Sequence, residues 1–210
     1  MFLTSQSFDD GAPIPSKFAF ARPATEGHVE LSGNRSPHLV WGDVPAEARS
    51  LVLLCVDVDV PSVGDDVNQE GRSVSADLPR VDFHHWVMVD LAAEAGELVE
   101  GACSDGVTPR GKLEPVGPAG SRQGVTNYTD WFAGDPDMAG TYRGYDGPAP
   151  PWNDERLHHY HFRLFAIDLE RCPVEGEFGG PEVSQAIEGH IVGVAEWVGT
   201  YTQNPALIGV

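Results

Sequence analysis

Basic residues are scarce in this chain. Thirteen Lys and Arg stand against 32 Asp and Glu over 210 residues, a formal charge of −19. A protein that tracks a nucleic-acid backbone needs a basic surface, so no nucleic-acid partner is expected. Anionic membrane surfaces repel such a chain as well. Cysteine is scarce too: Cys55, Cys103 and Cys172 are odd in number, far apart and form no CxxC pair, which removes zinc-ribbon and disulfide-framework readings. Free thiols suit a reducing compartment. The N-terminal stretch MFLTSQSFDD has neither a basic region nor an apolar core, so no secretory signal is expected. No apolar run approaches bilayer-spanning length. Together these absences predict a cytoplasmic protein without integral membrane association. There is also no GxxxxGK phosphate loop, no GxSxG nucleophile elbow, no internal repeat and no low-complexity tract.

What the chain does have is 24 glycines and 17 prolines spread along its length, with 41% hydrophobic residues. That pattern predicts many turns, little long helix and one domain over residues 1–210. The most informative stretch is Leu51 to Pro61, LVLLCVDVDVP. Six apolar residues followed by a proline-ended DxD read as a strand buried on both faces. Residues two apart on a strand share a face, about 7 Å apart. Asp57 and Asp59 therefore continue the face of Leu51, Leu53 and Cys55. Two carboxylates on a core face need partners or a pocket; the alternative is a strand that runs out into a solvated acidic loop.

The remaining elements follow in order. Phe2 to Phe8 reads as a first strand and Lys17 to Ala21 as a second. Residues 62–82 lack any period and read as a long surface loop, of the kind that is either a functional lid or disordered. His84 to Leu91 (HHWVMVDL) is a strong strand. Strict alternation puts His85, Val87, Val89 and Leu91 on one face, and His84, Trp86, Met88 and Asp90 on the other. Ala92 to Leu98 suggests a helical turn. Residues 101–151 form an irregular segment whose aromatics, Tyr128, Trp131, Phe132, Tyr142 and Tyr145, are of the kind that pack on a domain and line a site. Leu157 to Asp168 (LHHYHFRLFAID) is a second clear strand, with His158, Tyr160, Phe162, Leu164 and Ala166 on one face. Pro181 to Glu188 is the best helix, and His190 to Tyr201 favours strand. The fold class predicted is mainly β, a Greek-key sandwich with a central antiparallel sheet and a few short helices.

Five of the eight histidines fall in two runs, His84-His85 and His158-His159-x-His161, both on predicted strands. With the DxD they form three strand segments that offer polar groups near a core, and one pocket at the strand ends would explain all three. Taken singly, each has a plainer reading: a structural or solvent-exposed histidine pair, or a solvated turn. His158 and His161, three apart on a strand, face opposite sides and cannot share one metal ion. No catalytic residue, metal-ligand set or cofactor is selected by the spacing.

Four short motifs in order carry a resemblance: Asp57-Val58-Asp59-Val60-Pro61, His85-Trp86, Gly147-Pro148-Ala149-Pro150-Pro151, and Leu157-His158-His159-Tyr160-His161-Phe162. Together they resemble the phosphatidylethanolamine-binding protein family, in particular its bacterial Raf-kinase-inhibitor-like branch. Weaker echoes at FDDGAPIP (Phe8 to Pro15) and from Gly189 to Tyr201 extend the likeness over nearly the whole chain. The resemblance implies a β-sandwich with one small strand-end pocket for anions such as phosphate and phosphorylethanolamine. It assigns Asp57, Asp59, His85, Pro148, His158 and Tyr160 to ligand binding. It implies no general catalytic cycle; members of the family are ligand-binding and regulatory proteins, some of them kinase or protease inhibitors. The chain departs from the family pattern at Val58 (usually proline), Ala149 (often cysteine) and His159 (usually arginine).

The leading expectation is thus a binding protein for a small anionic or phosphorylated ligand, with His85 and His158 donating hydrogen bonds and Tyr160 donating a third or walling the pocket. The aspartates would either orient the imidazoles or meet the ammonium of an ethanolamine head. One alternative is a phosphoester hydrolase using the same Asp/His pocket. Another is a protein-interaction module that uses the acidic 62–82 loop to meet a protein partner. The reading accommodates a monomer or a homodimer.

Overall fold

The computed structural model describes residues 1–209. In chain order its elements are β1 (Phe2–Thr4), a 3-10 turn (Ser16–Phe18), β2 (Ala21–Pro23), β3 (Val29–Leu31), β4 (Leu39–Gly42), β5 (Ser50–Pro61), β6 (Arg80–Ala92), β7 (Gly96–Leu98), β8 (Arg122–Gln123), α1 (Tyr128–Trp131), β9 (His158–Ile167), α2 (Gly180–Ala186), β10 (Ile191–Tyr201) and a second 3-10 turn (Pro205–Leu207). The protein is mainly β, and its sheets are antiparallel. A central five-stranded sheet runs β10-β9-β5-β6-β8, a three-stranded sheet runs β1-β4-β7, and β2 and β3 form a hairpin.

The apolar run of β5 is explained by burial on both faces. Leu51, Leu53 and Cys55 join Trp86, Met88, Phe162 and Leu164 in the core that also takes Leu3, Leu39 and Trp41 from the smaller sheet. Val52, Leu54 and Val56 join Val87, Val89 and Ile167 on the opposite face, beneath Val183 and Ile187 at α2. Each such side chain contributes about 1.5–3 kcal/mol on burial. The alternation expected for β9 holds: His158, Tyr160, Phe162, Leu164 and Ala166 are all fully buried.

Strict alternation fails on β6. Cys55 pairs Trp86 while Val56 pairs His84, which leaves His85 as an extra residue. A bulge of this kind turns the side chain to the other face. His85 therefore joins the Trp86 side, where its ring meets Tyr160 at 5.1 Å. A second bulge between Met88 and Leu91 sets Asp90 at φ 63°, and its carboxylate receives Arg122 Nε at 2.5 Å. Leu91 thereby returns to the Met88 face.

Other short elements differ from expectation for local reasons. β1 ends at Thr4 because the next residues bond to His38: Ser5 Oγ donates to its carbonyl, and Gln6 N–H to its Nδ1. Lys17 to Ala21 is not a strand, since Phe18 N–H turns back to the Pro15 carbonyl. Residues 96–98 form β7 rather than a helical turn. They pair with β4, and Gly96 lies so close under Trp41 that a Cβ would sit 2.5 Å from the indole. The long excursion ends at residue 79, because β6 begins at Arg80. That loop is folded around one side chain: Asn153 Nδ2 donates to the Asp66 and Arg72 carbonyls at 2.8 and 3.1 Å, and its Oδ1 accepts Asn68 N–H.

Candidate functional site

β5, β6 and β9 are neighbours in the central sheet, and at one end of it they enclose a cavity of about 210 Å³. Asp57, His85, His158 and Tyr160 supply its polar floor. Val60, Pro61, Gly64 and Val67 form one wall, so the inner side of the 62–79 loop belongs to the cavity. Phe83, Tyr128 and Trp131 form another, and Ala149, Pro150 and Pro151 a third. Trp131 is half exposed at the rim. Of the aromatics of the irregular segment, Tyr128 and Trp131 line this cavity, whereas Tyr142 and Tyr145 are fully buried.

His158 sits between two carboxylates. Its Nδ1 lies 2.7 Å from Asp57 Oδ2 and its Nε2 3.1 Å from Asp154 Oδ2. Asp154 is gripped in turn by Arg80, with Nη1 at 2.6 Å and Nη2 at 3.0 Å. Burial disfavours a charged imidazole, but the two carboxylates outweigh it and hold His158 up at about 9. Both aspartates show the converse. Burial opposes their charge, and His158 overcomes it, with the Asp59 N–H helping Asp57 and Arg80 helping Asp154, so both lie below their ordinary value. Asp57, Asp154, His158 and Arg80 form a buried chain of alternating charge with no net charge.

His85 stands a few ångströms away in the opposite state. Its Nδ1 donates to the Asp146 carbonyl at 2.8 Å. Burial outweighs the attraction of Asp57 and pushes its pKa down to about 4. The ring is therefore neutral near pH 7, with Nε2 left as an acceptor. The loop that supplies Asp146 is held by Asn34, whose Nδ2 donates to Asp146 Oδ1 at 2.7 Å and whose Oδ1 accepts Gly147 N–H at 2.8 Å. Gly147 packs so tightly on the Phe18 carbonyl that a Cβ would lie 1.9 Å from its oxygen, so no other residue fits. Tyr160 completes the floor. Its hydroxyl is buried and, among the described residues, makes no well-formed hydrogen bond; burial, and after it the nearby Asp57 carboxylate, push its pKa well up.

Four of the six residues singled out from sequence meet in the cavity: Asp57, His85, His158 and Tyr160. Asp59 and Pro148 do not line it. Val58 and Asp59 together oppose a single residue of β6, and this bulge swings Asp59 away from the Asp57 face. Its Oδ2 accepts both the backbone N–H and Nδ1 of His159, at 3.0 and 2.8 Å. Pro148 instead offers its carbonyl to the N–H groups of Phe20 and Ala21. The expected donor roles of His158 and His85 are also corrected, since both N–H groups of His158 are already taken by carboxylates and the N–H of neutral His85 by the Asp146 carbonyl. Sequence reasoning missed Asp154, Arg80 and Phe83. The only signal for Asp154 was a carboxylate four residues before His158.

The model of the family described as phosphatidylethanolamine-binding protein matches residues 4–202. The chain belongs to this family. Among relatives, a UPF0098 protein of Methanothermobacter thermautotrophicus is 33% identical over 201 residues, 96% of this chain and 98% of the relative. A UPF0098 protein of Chlamydia muridarum is 30% identical over 207 residues, 97% of this chain and 100% of the relative. Of solved structures, CT736 of Chlamydia trachomatis aligns with a TM-score of 0.60 at 29% identity, covering 95% of both chains. YbcL of Escherichia coli aligns with a TM-score of 0.65 at 24% identity, covering 96% of this chain and 97% of that one, a likeness of fold. Among the described residues, no helix is long and apolar enough to cross a membrane.

Proposed function

We propose that this member of the phosphatidylethanolamine-binding protein family is a binding protein for a small anionic or phosphorylated ligand, held in the cavity floored by Asp57, His85, His158 and Tyr160. The observation that carries this reading is the Tyr160 hydroxyl. A buried, unpartnered hydroxyl costs roughly 1–3 kcal/mol, and this one lines a cavity, so a ligand oxygen is the partner that removes the cost. The apolar remainder of the lining strengthens such a bond by excluding water. The cation of His158, buried and neutralised by its carboxylates, contributes by holding Asp57 rather than by donating. A cavity of about 210 Å³ suits a head group of phosphate or phosphorylethanolamine size.

Calorimetric titration of the whole chain with phosphorylethanolamine and inorganic phosphate tests the reading. Replacing Tyr160 by Phe is expected to weaken binding about 10- to 150-fold, the worth of one hydrogen bond to a charged group. Unchanged affinity would remove Tyr160 from the site, and absence of binding by the unaltered protein would overturn the proposal.

A further inference from the structure

We infer that the cavity selects an oxyanion that brings its own proton, hydrogenphosphate or a phosphate monoester, and rejects sulfate and phosphodiesters, because its polar floor offers more acceptors than donors. This rests on the anion-binding reading of the same cavity. His158 has no N–H to give, since Asp57 and Asp154 take both. Tyr128 Oη donates to the Gly147 carbonyl at 2.7 Å. Pro150 and Pro151 have no N–H, so that wall can supply only Ala149. The donor built into the floor is the Tyr160 hydroxyl; the Trp131 indole N–H belongs to the half-exposed rim, where water competes for it. Against it stand two acceptors, the Asp57 carboxylate and His85 Nε2, whose ring is locked by the Nδ1 bond to Asp146.

The groups that face His85 do not change this balance. Asp57 faces it from β5, His158 and Tyr160 from β9, Tyr128 from α1, and the Asp146 carbonyl from its own loop. A fully deprotonated oxyanion would set lone pairs against the Asp57 carboxylate and against Nε2 with no hydrogen between them. The repulsion is severe in a buried site. Protonating His85 would relieve it, but burial resists that down to about 4. A phosphate monoester has a second pKa of about 6 and so carries a P–OH able to bridge to either acceptor near neutral pH. Sulfate and phosphodiesters carry none. A free monoester is therefore the favoured occupant over an intact lipid head group, which is a diester.

Calorimetry on the full chain at about pH 6 and about pH 8 reads this directly, using inorganic phosphate, phosphorylethanolamine, sulfate, dimethyl phosphate and glycerophosphorylethanolamine. Phosphate and phosphorylethanolamine are expected to bind at the lower pH. Their affinity should fall about tenfold per pH unit once above the ligand's own second pKa. At about pH 6 sulfate and both diesters are expected to be at least about tenfold weaker, the worth of one unpaired buried acceptor, and that gap should close towards about pH 8 as the monoester loses its proton. Sulfate or either diester binding as tightly as phosphorylethanolamine at about pH 6 would overturn this inference and leave the anion-binding reading standing. Failure of all five ligands would overturn both. In His85→Gln, whose amide can donate, the preference for phosphate over sulfate should shrink; an unchanged preference would overturn the assignment to His85.

Discussion

His85 and His158 line one cavity from strands of the same sheet, yet they carry opposite charge states. His158 is fully buried and cationic because two carboxylates hold both its nitrogens. His85 is equally enclosed and neutral because its fixed partner is a backbone carbonyl. Burial acts in the same direction on both imidazoles, so the difference comes entirely from the neighbours. One histidine is a structural cation that aims a carboxylate, and the other is an acceptor that faces the cavity.

The strongest way to break this contrast is to remove Asp57. Asp57→Ala leaves His158 with one carboxylate in an apolar surround, and loss of one partner of a buried pair costs about 3–5 kcal/mol. Chemical denaturation should show that loss, and imidazole NMR should show the His158 pKa falling.

The pH dependence of stability comes next. Unfolded, both imidazoles titrate near 6.5. His158 is held up at about 9, so its stabilisation is fully present below about pH 6.5 and fades as pH rises through 9. His85 resists protonation down to about 4, so the fold loses stability as pH falls from about 6.5 towards 4. Asp57 and Asp154, held below their ordinary value, withdraw their contribution only at still lower pH. Each histidine limb is worth on the order of 3 kcal/mol. Stability measured by denaturation across pH should therefore peak near pH 6.5–7, and His85→Gln should flatten the acid limb alone.

Tyr160→Phe sharpens the comparison from the ligand's side. Removing an unpartnered buried hydroxyl is expected to leave the ligand-free protein as stable or about 1 kcal/mol more stable, while phosphate affinity falls. A clear loss in ligand-free melting temperature would mean that the hydroxyl already has a partner. The smallest effect belongs to the neighbouring pair, Asp59 and His159. His159 is nearly half exposed, with 45% of its side chain accessible, so His159→Ala should cost less than about 1 kcal/mol and leave phosphate binding unaltered.

Much of this site was legible without coordinates where the strands run regularly. β9 alternates without interruption, so His158 and Tyr160 were correctly set on the buried face, and Asp57 follows Leu51, Leu53 and Cys55 to the same side. Reading failed where a bulge intervenes. One extra residue reverses every later face assignment, which misdirected His85 relative to Trp86 and kept Asp59 wrongly beside Asp57. Asp154 and the Asp146 carbonyl were beyond reach because they lie on irregular backbone, where no period says which way a side chain points.

The sequence by itself determined a two-sided central strand ending in an acidic pair, two histidine strands able to meet it, and the family. Those features follow from side-chain period and motif order, which are local properties. The tertiary structure alone decided which aspartate enters the cavity, which histidine is charged and which hydroxyl lacks a partner. Bulge positions and the pairing of buried charges arise from contacts between segments as much as 101 residues apart, as Asp57 and His158 are, and no local pattern encodes them.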